Sequence, residues 1–244
     1  TGDTDVSGDP GDTVTYHFTI LNTGNVEEKM FYTISSSWNI DNVGGDTTLG
    51  MGESATLSVT QTIPANAVAG ATGAVTFSVV NGDSESVTTT ANQVYGVTVT
   101  AGTLTGLNPG GSGVLSFTVT NTGNGFDTFT IGHSGVWANS KSVDTISLSS
   151  GSSGLGTVDI TVGIPADAAS AASTSIGISA TSTGAADSDS YNVVVASSTR
   201  SLTITGVGSY TINEGTVGQG TATITNTGDV TTTYIVTSMT DSVS

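Results

Sequence analysis

The chain has 244 residues and a formal net charge of −17, because 20 Asp and Glu residues face only three Lys and Arg residues. So few cations cannot neutralise a run of phosphates, and the composition therefore argues against nucleic acid and anionic membrane surfaces as partners. The absence of Cys excludes disulfides and thiol chemistry, and no apolar run reaches the ~18 residues of a membrane-spanning helix. Thr, Ser and Gly number 46, 33 and 33, almost half of the chain, and such a composition excludes long helices.

The chain opens with acidic residues at alternate positions. Their spacing is similar to the first half of an EF-hand loop, but the twelfth position is Val14, where that loop needs a bidentate Glu. A looser calcium site is one interpretation, and a solvated acidic turn is the other. The predicted calcium ligands are Asp3, Asp5, Asp9 and Asp12. We expect no other cofactor.

An alternating run of apolar and polar residues follows the acidic segment, and a similar run recurs about 100 residues later. A hydrophobic period of two is typical of a half-buried β-strand. The apolar positions are Val14, Tyr16, Phe18 and Ile20 in the first run and Leu115, Phe117 and Val119 in the second. Further alternating runs and turn residues predict about seven strands in each ~100 residues, the number typical of a sandwich.

Each of these two runs ends at Asn-Thr-Gly, a tripeptide that occurs three times, at residues 22–24, 121–123 and 226–228. The spacings are 99 and 105 residues, and Ile-Pro-Ala recurs 101 residues apart, at residues 63–65 and 164–166. Several marks with one period indicate an internal repeat. We predict one repeat over residues 1–94, a second over residues 95–199 and a partial third over residues 200–244.

Trp38 and Trp137 are 99 residues apart and so occupy matching positions in the first two repeats. They could stack on sugars, but equal placement in both repeats favours a core role, because a buried Trp supports many sandwiches. The sequence therefore predicts that both belong to the core.

The first repeat continues with an apolar run to Val80, then Asn81-Gly82 and a Thr-rich run. Asn-Gly predicts a two-residue type I′ hairpin. Acidic pairs follow the hairpin turn in both repeats, Asp83 with Glu85 and Asp187 with Asp189. Alternate residues share one face of a strand, so each pair could bridge a cation, although polar decoration of a turn is the simpler interpretation.

The repeats differ at their ends. An opening strand is predicted at residues 97–100 of the second repeat and at 202–205 of the third, whereas the first repeat has no such run. The chain thus contains one module without its first strand, one whole module and one without its second half. A three-strand remnant is too small to bury a core by itself.

The combined pattern resembles the immunoglobulin-like repeat found beside glycosidase domains and in tandem on bacterial and archaeal surface proteins. The matching residues are 11–14, 22–25, Trp38, 52–56 and 63–65 in the first repeat, and 121–124, Trp137 and 164–166 in the second. The resemblance implies an all-β chain of tandem immunoglobulin-like sandwiches. It carries no catalytic residues, and the sequence contains no nucleophile elbow, dinucleotide fingerprint or zincin motif, so we expect no enzyme.

Three functions remain open at this stage. The first is an extracellular filament subunit that self-associates into a homopolymer by adding a strand to the next copy. Its donor residues are Leu202, Ile204, Val207, Ile224, Tyr234, Ile235 and Val236, and its acceptor residues are Val14, Tyr16, Phe18 and Ile20. The second is the stalk of a longer adhesin or surface-layer protein, and the third is a carbohydrate-binding accessory module.

Overall fold

The computed structural model describes residues 5–151, 154–196, 200–206, 215, 221–228 and 233–235. Within these ranges the chain forms 18 β-strands, and no helix there is long and apolar enough to cross a membrane. The strands build two sandwiches and one additional antiparallel hairpin. The fold is therefore all-β, as predicted.

The first eight strands form domain one. They are β1 (Val6–Gly8), β2 (Thr13–Leu21), β3 (Glu28–Ser36), β4 (Asn39–Ile40), β5 (Gly44–Leu49), β6 (Ser54–Thr62), β7 (Thr72–Val79) and β8 (Ser84–Ala91). One sheet has the order β1-β8-β7-β3-β5 and the other has the order β2-β6-β4. All pairs are antiparallel except β1 with β8.

The next eight strands form domain two. They are β9 (Val97–Ala101), β10 (Ser112–Asn121), β11 (Asp127–Ser134), β12 (Ala138–Lys141), β13 (Thr145–Leu148), β14 (Leu155–Gly163), β15 (Ser173–Thr181) and β16 (Ala186–Val194). The sheet orders are β12-β14-β10-β9 and β13-β11-β15-β16. The first sheet thus contains the first, second, sixth and fourth strands of the domain, and the second sheet contains the other four. An immunoglobulin-like sandwich has its first, second, fifth and fourth strands in one sheet, so domain two has this arrangement with one additional strand, β13, beside β11. The chain is a tandem of such sandwiches.

A third segment repeats the start of domain two. β17 (Leu202–Gly206) pairs with β18 (Ala222–Asn226) in an antiparallel ladder that sets Ile204 opposite Ile224. In domain two, β9 and β10 set Val99 opposite Val119. The two ladders thus have the same register, because each member of the first pair lies 105 residues after its counterpart.

Alternation along β2 produces the core of domain one. Tyr16, Phe18 and Ile20 are buried while the residues between them are exposed. Phe18 stacks on Phe77 of the opposite sheet with ring centroids 5.1 Å apart, and Tyr32 lies 5.3 Å from the same ring. Burying side chains of this size contributes about 1.5–3 kcal/mol each, so these aromatic residues hold the two sheets together.

Two sequence-based expectations need comment. Domain one does begin with a short strand, because β1 pairs in parallel with residues Thr89 to Ala91 of β8 in the sheet opposite β2. β1 is not the equivalent of β9, which pairs with β10, and three residues are too short to show an alternating pattern. The prediction of a two-residue type I′ turn at Asn81-Gly82 is wrong. Four residues separate β7 from β8, and Gly82 N donates to the carbonyl of Val79 at 3.0 Å. A type I′ turn needs a positive φ at both central residues, whereas Asn81 has a φ of 58° and Gly82 has no positive φ.

The two tryptophans occupy different environments. Trp137 is 9% exposed and packs in the core of domain two. Trp38 is half-buried and lies against a small cluster formed by Ile63, Ala67 and Ala91 at the end of domain one. A Cβ on Gly73 would come within 2.2 Å of the Trp38 ring, so only glycine lets the ring pack there.

Candidate functional site

The outer edge of β2 is the feature that distinguishes domain one from domain two. β2 pairs with β6 along its whole length. Its equivalent β10 is paired on both sides, with β14 and with β9. Among the described residues, no strand pairs with the second side of β2 over residues 18–21. Domain one therefore presents an open sheet edge where domain two has β9.

Backbone groups on this edge can be assigned from domain two. Thr122 N donates to the carbonyl of Gly96 at 3.0 Å, so even-numbered residues at this end of β10 direct their backbone toward β9. The equivalent positions 99 residues earlier are Thr19 and Leu21. Their N–H and C=O groups therefore point away from β6 and can pair with an added strand.

A groove of about 560 Å³ lies along the open edge. On one side it is lined by Thr19 and Leu21 of β2, and on the other by Val79, Gly82 and Asp83 at the β7–β8 turn. In domain two β9 occupies the matching place, and its Val97 and Val99 side chains are buried in the core. The groove is thus the space that a β9-like strand would fill.

The Asn-Thr-Gly motif stabilises the loop at the end of this edge. Asn22 is 1% exposed, and its side-chain amide donates to the carbonyls of Val26 and Leu49, both at 2.8 Å. Its Oδ1 accepts the N–H of Gly24 at 2.9 Å. Asn121 makes the same three types of bond in domain two. The motif therefore connects the loop after β2 to the end of β5, a role that the repeat spacing alone did not indicate.

The surroundings of the glycine in this motif differ between the two domains. A Cβ on Gly123 would approach the carbonyl of Val94, in the linker before β9, to 2.5 Å. Around Gly24, the only described atom within 4 Å of such a Cβ is Asn22 Oδ1, at 3.1 Å. Domain one thus has room at this point for a chain that approaches as the linker does in domain two.

The predicted donor residues lie on exposed surface where the structure describes them. Leu202, Ile204 and Ile224 are 39%, 61% and 40% exposed, whereas their domain-two counterparts Val97, Val99 and Val119 are buried. Ile235 is exposed, and the hydroxyl of Tyr234 donates to Ser201 O at 2.9 Å. Val207 and Val236 lie outside the described residues.

The side chains of the predicted acceptor residues have a different role from the outward backbone groups of β2. The side chains of Tyr16, Phe18 and Ile20 are buried within domain one, and Val14 is half-buried beside them. They therefore form part of the core on which an added strand would lie, and the outward backbone of residues 19 and 21 would make the pairing hydrogen bonds.

The acidic residues at the start of the chain bond to protein groups. Asp5 Oδ1 accepts the N–H of Thr88 at 2.8 Å, Asp9 Oδ1 accepts the side-chain amide of Asn92 at 3.0 Å, and Asp12 Oδ2 accepts the N–H of Asp9 at 2.9 Å. No group of three or more ligating side chains occurs within the described part of the chain. Asp3 lies outside that part, and the calcium site stays a prediction for titration calorimetry with CaCl₂.

Comparison with known proteins gives structural likenesses at low identity. No protein-family model matches the chain, and no curated protein matches it. Titin domains Z1Z2, solved with telethonin, are 13% identical, with 79% of this chain and 92% of that chain covered and a TM-score of 0.30. A Porphyromonas gingivalis W83 protein of unknown function is 12% identical, with 80% and 95% covered and a TM-score of 0.29. The Acinetobacter baumannii CsuC–CsuE chaperone–tip adhesion subunit complex is 11% identical, with 78% and 94% covered and a TM-score of 0.22.

Proposed function

We propose that the chain is a structural subunit of an extracellular filament, in which β17 of one copy is added to the open edge of β2 in the next. The observation that carries this proposal is the pair of complementary features in one chain, an open β2 edge and an exposed β17 with the pattern of β9. Strand addition of this kind obtains affinity from backbone hydrogen bonds and specificity from alternate side chains.

The register of the proposed contact follows from domain two. β9 sets Val99 opposite Val119 and buries Val97 and Val99 while Thr98 and Thr100 stay exposed. By the same spacing, β17 would set Ile204 opposite Ile20. Leu202 and Ile204 would then enter the groove, and the intervening Thr203 would face outward.

Burial of these side chains gives the contact a driving force. Leu202 and Ile204 are 39% and 61% exposed in the hairpin. Full burial of a Leu or Ile side chain contributes about 1.5–3 kcal/mol. Because both side chains are already partly buried in the hairpin, each gains only part of this amount when the strand is added. β17 would pair with β2 through the side that pairs with β18 in the hairpin, so it must leave β18 and exchange one ladder for another. The burial of Leu202 and Ile204 is therefore the main gain, and the outward backbone groups of β2 obtain partners in place of solvent.

The geometry of donor and acceptor favours a polymer. The two surfaces are different, so each copy offers one donor and one acceptor, and such a head-to-tail contact extends unless rotation closes it into a ring. Three Lys and Arg residues leave few cleavage sites for trypsin-like proteases, which suits a long-lived structure outside the cell. This composition also supports the proposal that neither nucleic acid nor membrane is a partner.

A stalk segment of a longer surface protein is the second candidate. It is favoured by the hydrogen-bonded junction between domains one and two, in which Asn124 bonds to Ala67 and Asn92 of domain one. In a stalk, a strand that precedes Thr1 in the same polypeptide would occupy the β2 edge. The intact mass of the natively isolated protein separates the two candidates, since a chain much heavier than 24.1 kDa favours the stalk.

Negative-stain electron microscopy of the 244-residue chain tests filament formation, with two pairs of variants. Ile204→Asp places a charge on the proposed buried face of β17 and should abolish filaments, whereas Thr203→Asp lies on the opposite face and should leave them. Thr19→Pro removes an outward N–H from the open edge, and Thr48→Pro does the same on β5, the edge strand of the other sheet. Filaments that persist in Ile204→Asp and Thr19→Pro would contradict strand addition at this edge.

A further inference from the structure

Two carboxylates of domain two bond to the outer edge of β9. Asp187 Oδ2 accepts the N–H of Val99 at 2.7 Å, and Asp189 Oδ2 accepts the N–H of Ala101 at 2.8 Å. β10 pairs with the other side of β9, so these N–H groups have no ladder partner among the residues that the structure describes. The hydrogen bond from Ala101, and then that from Ser190, lowers the pKa of Asp189. The carboxylates thus connect β9 to β16 across the open side of the sandwich.

Domain one has carboxylates at the same two positions of β8. The N–H of Ala91 bonds to Ala71 O and the N–H of Val195 bonds to Ala172 O, each at 2.8 Å, which aligns β8 with β16 at an offset of 104 residues. Asp83 then matches Asp187, and Glu85 matches Asp189. No strand like β9 lies beside them in the part of the chain that the structure describes.

Asp83 lies at the groove beside the open edge of β2, and Glu85 follows two residues later on β8. Asp83 lines the groove together with Val79 and Gly82, and its Oδ1 accepts the N–H of Ser84 at 2.9 Å. Asp189 Oδ1 accepts the N–H of Ser190 at 2.8 Å in the same way, while its Oδ2 accepts the N–H of Ala101 in β9. Within the described ranges, no hydrogen bond reaches the carboxylate of Glu85, which is thus available to a chain that enters the groove.

We infer that Asp83 and Glu85 are a receptor for backbone N–H groups of the strand that fills the groove, and that this strand is β17 of a second copy. The inference rests on the proposed function. The spacing in domain two assigns the N–H of Ile204 to Asp83 and the N–H of Gly206 to Glu85. Both donors lie on the side of β17 that does not pair with β2 in the added position.

The side chains of the added strand define its register. Each residue directs both its N–H and its C=O to one side of a strand, and successive side chains point to opposite faces. A slip of one residue therefore turns Leu202 and Ile204 away from the groove and turns Thr203 toward it. The two carboxylates would accept N–H groups on the outer side of the strand, and their charge discourages unspecific pairing at this edge.

The test measures the binding of a labelled synthetic peptide of residues 200–206 to the whole 244-residue chain, below the concentration at which it assembles. Fluorescence anisotropy compares the native chain, the Asp83→Ala/Glu85→Ala variant and a control, Glu27→Ala/Asp167→Ala, which removes the same charge elsewhere. Charge-assisted hydrogen bonds are the stronger class, so we expect the first variant to bind roughly tenfold or more weakly and the control to bind as the native chain does.

A second peptide, N-methylated at Ile204, lacks the N–H that Asp83 would accept. It should bind the native chain more weakly than the parent peptide, and this difference should shrink in Asp83→Ala. Equal binding of the parent peptide by the native chain and the double variant overturns the carboxylate receptor but leaves the β2 edge as acceptor. No binding of either peptide to the native chain overturns the proposed function itself, so the two failures are distinguishable.

Discussion

The side-chain amide of Asn124 in domain two donates a hydrogen bond to the carbonyl of Ala67 in domain one, at 3.1 Å. The same Nδ2 donates to Asn92 O at 2.9 Å, and Oδ1 accepts the N–H of Val94 at 2.8 Å. The backbone of Asn124 adds a bond from the N–H of Ala69 at 3.0 Å. One residue thus connects a loop of domain one, the linker and the first loop of domain two.

Replacing Asn124 with Ala should loosen the junction. The variant loses three side-chain hydrogen bonds, each with a net contribution of about 0.5–1.5 kcal/mol, while both cores stay intact. We expect a wider distribution of angles between the domains, measured by small-angle X-ray scattering and by NMR relaxation of the two domains.

Asn25 provides the matched control, because it is the fourth residue of the same motif in domain one and is exposed. Asn25→Ala should leave both measurements unchanged. Identical scattering and relaxation for native chain and Asn124→Ala would mean that the backbone bond and packing suffice to hold the junction.

Replacing Asn121 with Ala should destabilise domain two. Asn121 is 1% exposed, and its loss leaves the buried carbonyl of Leu148 without its side-chain donor. Removing one partner of buried hydrogen bonds costs about 1–3 kcal/mol for each group left unsatisfied, so we expect a loss of roughly 2–4 kcal/mol. Urea unfolding followed by fluorescence of Trp137 measures it, since Trp137 lies in that core.

The exposed neighbour Thr122 serves as control, and Thr122→Ala should unfold within about 0.5 kcal/mol of the native chain, as surface substitutions usually do. An Asn121→Ala variant as stable as the control would mean that water replaces the side-chain donor without cost.

These residues show how far the sequence alone predicts the molecule. Alternation along Val14 to Ile20 predicted β2 and its buried face, because a strand in a sandwich has one side in the core. The bonds of Asn121 to Leu148 and of Asn124 to Ala67 could not be predicted in the same way. They join positions that are 27 and 57 residues apart, and their partners are carbonyls, which every residue type carries.

The acidic pairs show the same limit of prediction from sequence. Their recurrence in both repeats was visible, and it suggested a cation site or turn decoration. The structure shows that Asp187 and Asp189 accept backbone N–H groups of β9, 88 residues earlier in the chain. Only the fold brings this edge beside the hairpin, so the spacing of the two acids could not identify their partner.

Replacing Gly123 with Ala should destabilise the start of domain two more than Gly24→Ala destabilises domain one. The new Cβ on residue 123 would lie 2.5 Å from the carbonyl of Val94, so the linker must shift. On residue 24 the corresponding contact is 3.1 Å, to the side chain of Asn22. Overpacking of this kind costs about 1–3 kcal/mol, and we expect the Gly123 variant to lie in that range.

Hydrogen exchange of the Thr122 amide, which donates to Gly96 O, gives a local measure of the same effect. Its protection should fall in Gly123→Ala while the amides of β2 keep theirs in Gly24→Ala. Equal losses in the two variants would contradict a specific role for the approach of the linker.

The bond between Asp189 and Ala101 makes part of the stability of domain two depend on pH. The hydrogen bonds from Ala101 and Ser190 lower the pKa of Asp189 below its ordinary value of 3.8. A carboxyl group whose pKa is lower in the folded state binds its proton more readily when unfolded. Its contribution to stability is therefore complete above the ordinary value and is lost as the pH falls through the folded value.

Asp189→Asn isolates this contribution, because the variant keeps the size of the side chain and lacks the titrating group. We expect the native chain to have the higher Tm for domain two at pH 6, with a difference that stays constant down to about pH 5 and shrinks as the pH falls further below 4. The carboxyl carbon of Asp189 should titrate below pH 3.8 by NMR. A Tm difference that is independent of pH would show that the bond from Ala101 is equally strong to a neutral acceptor.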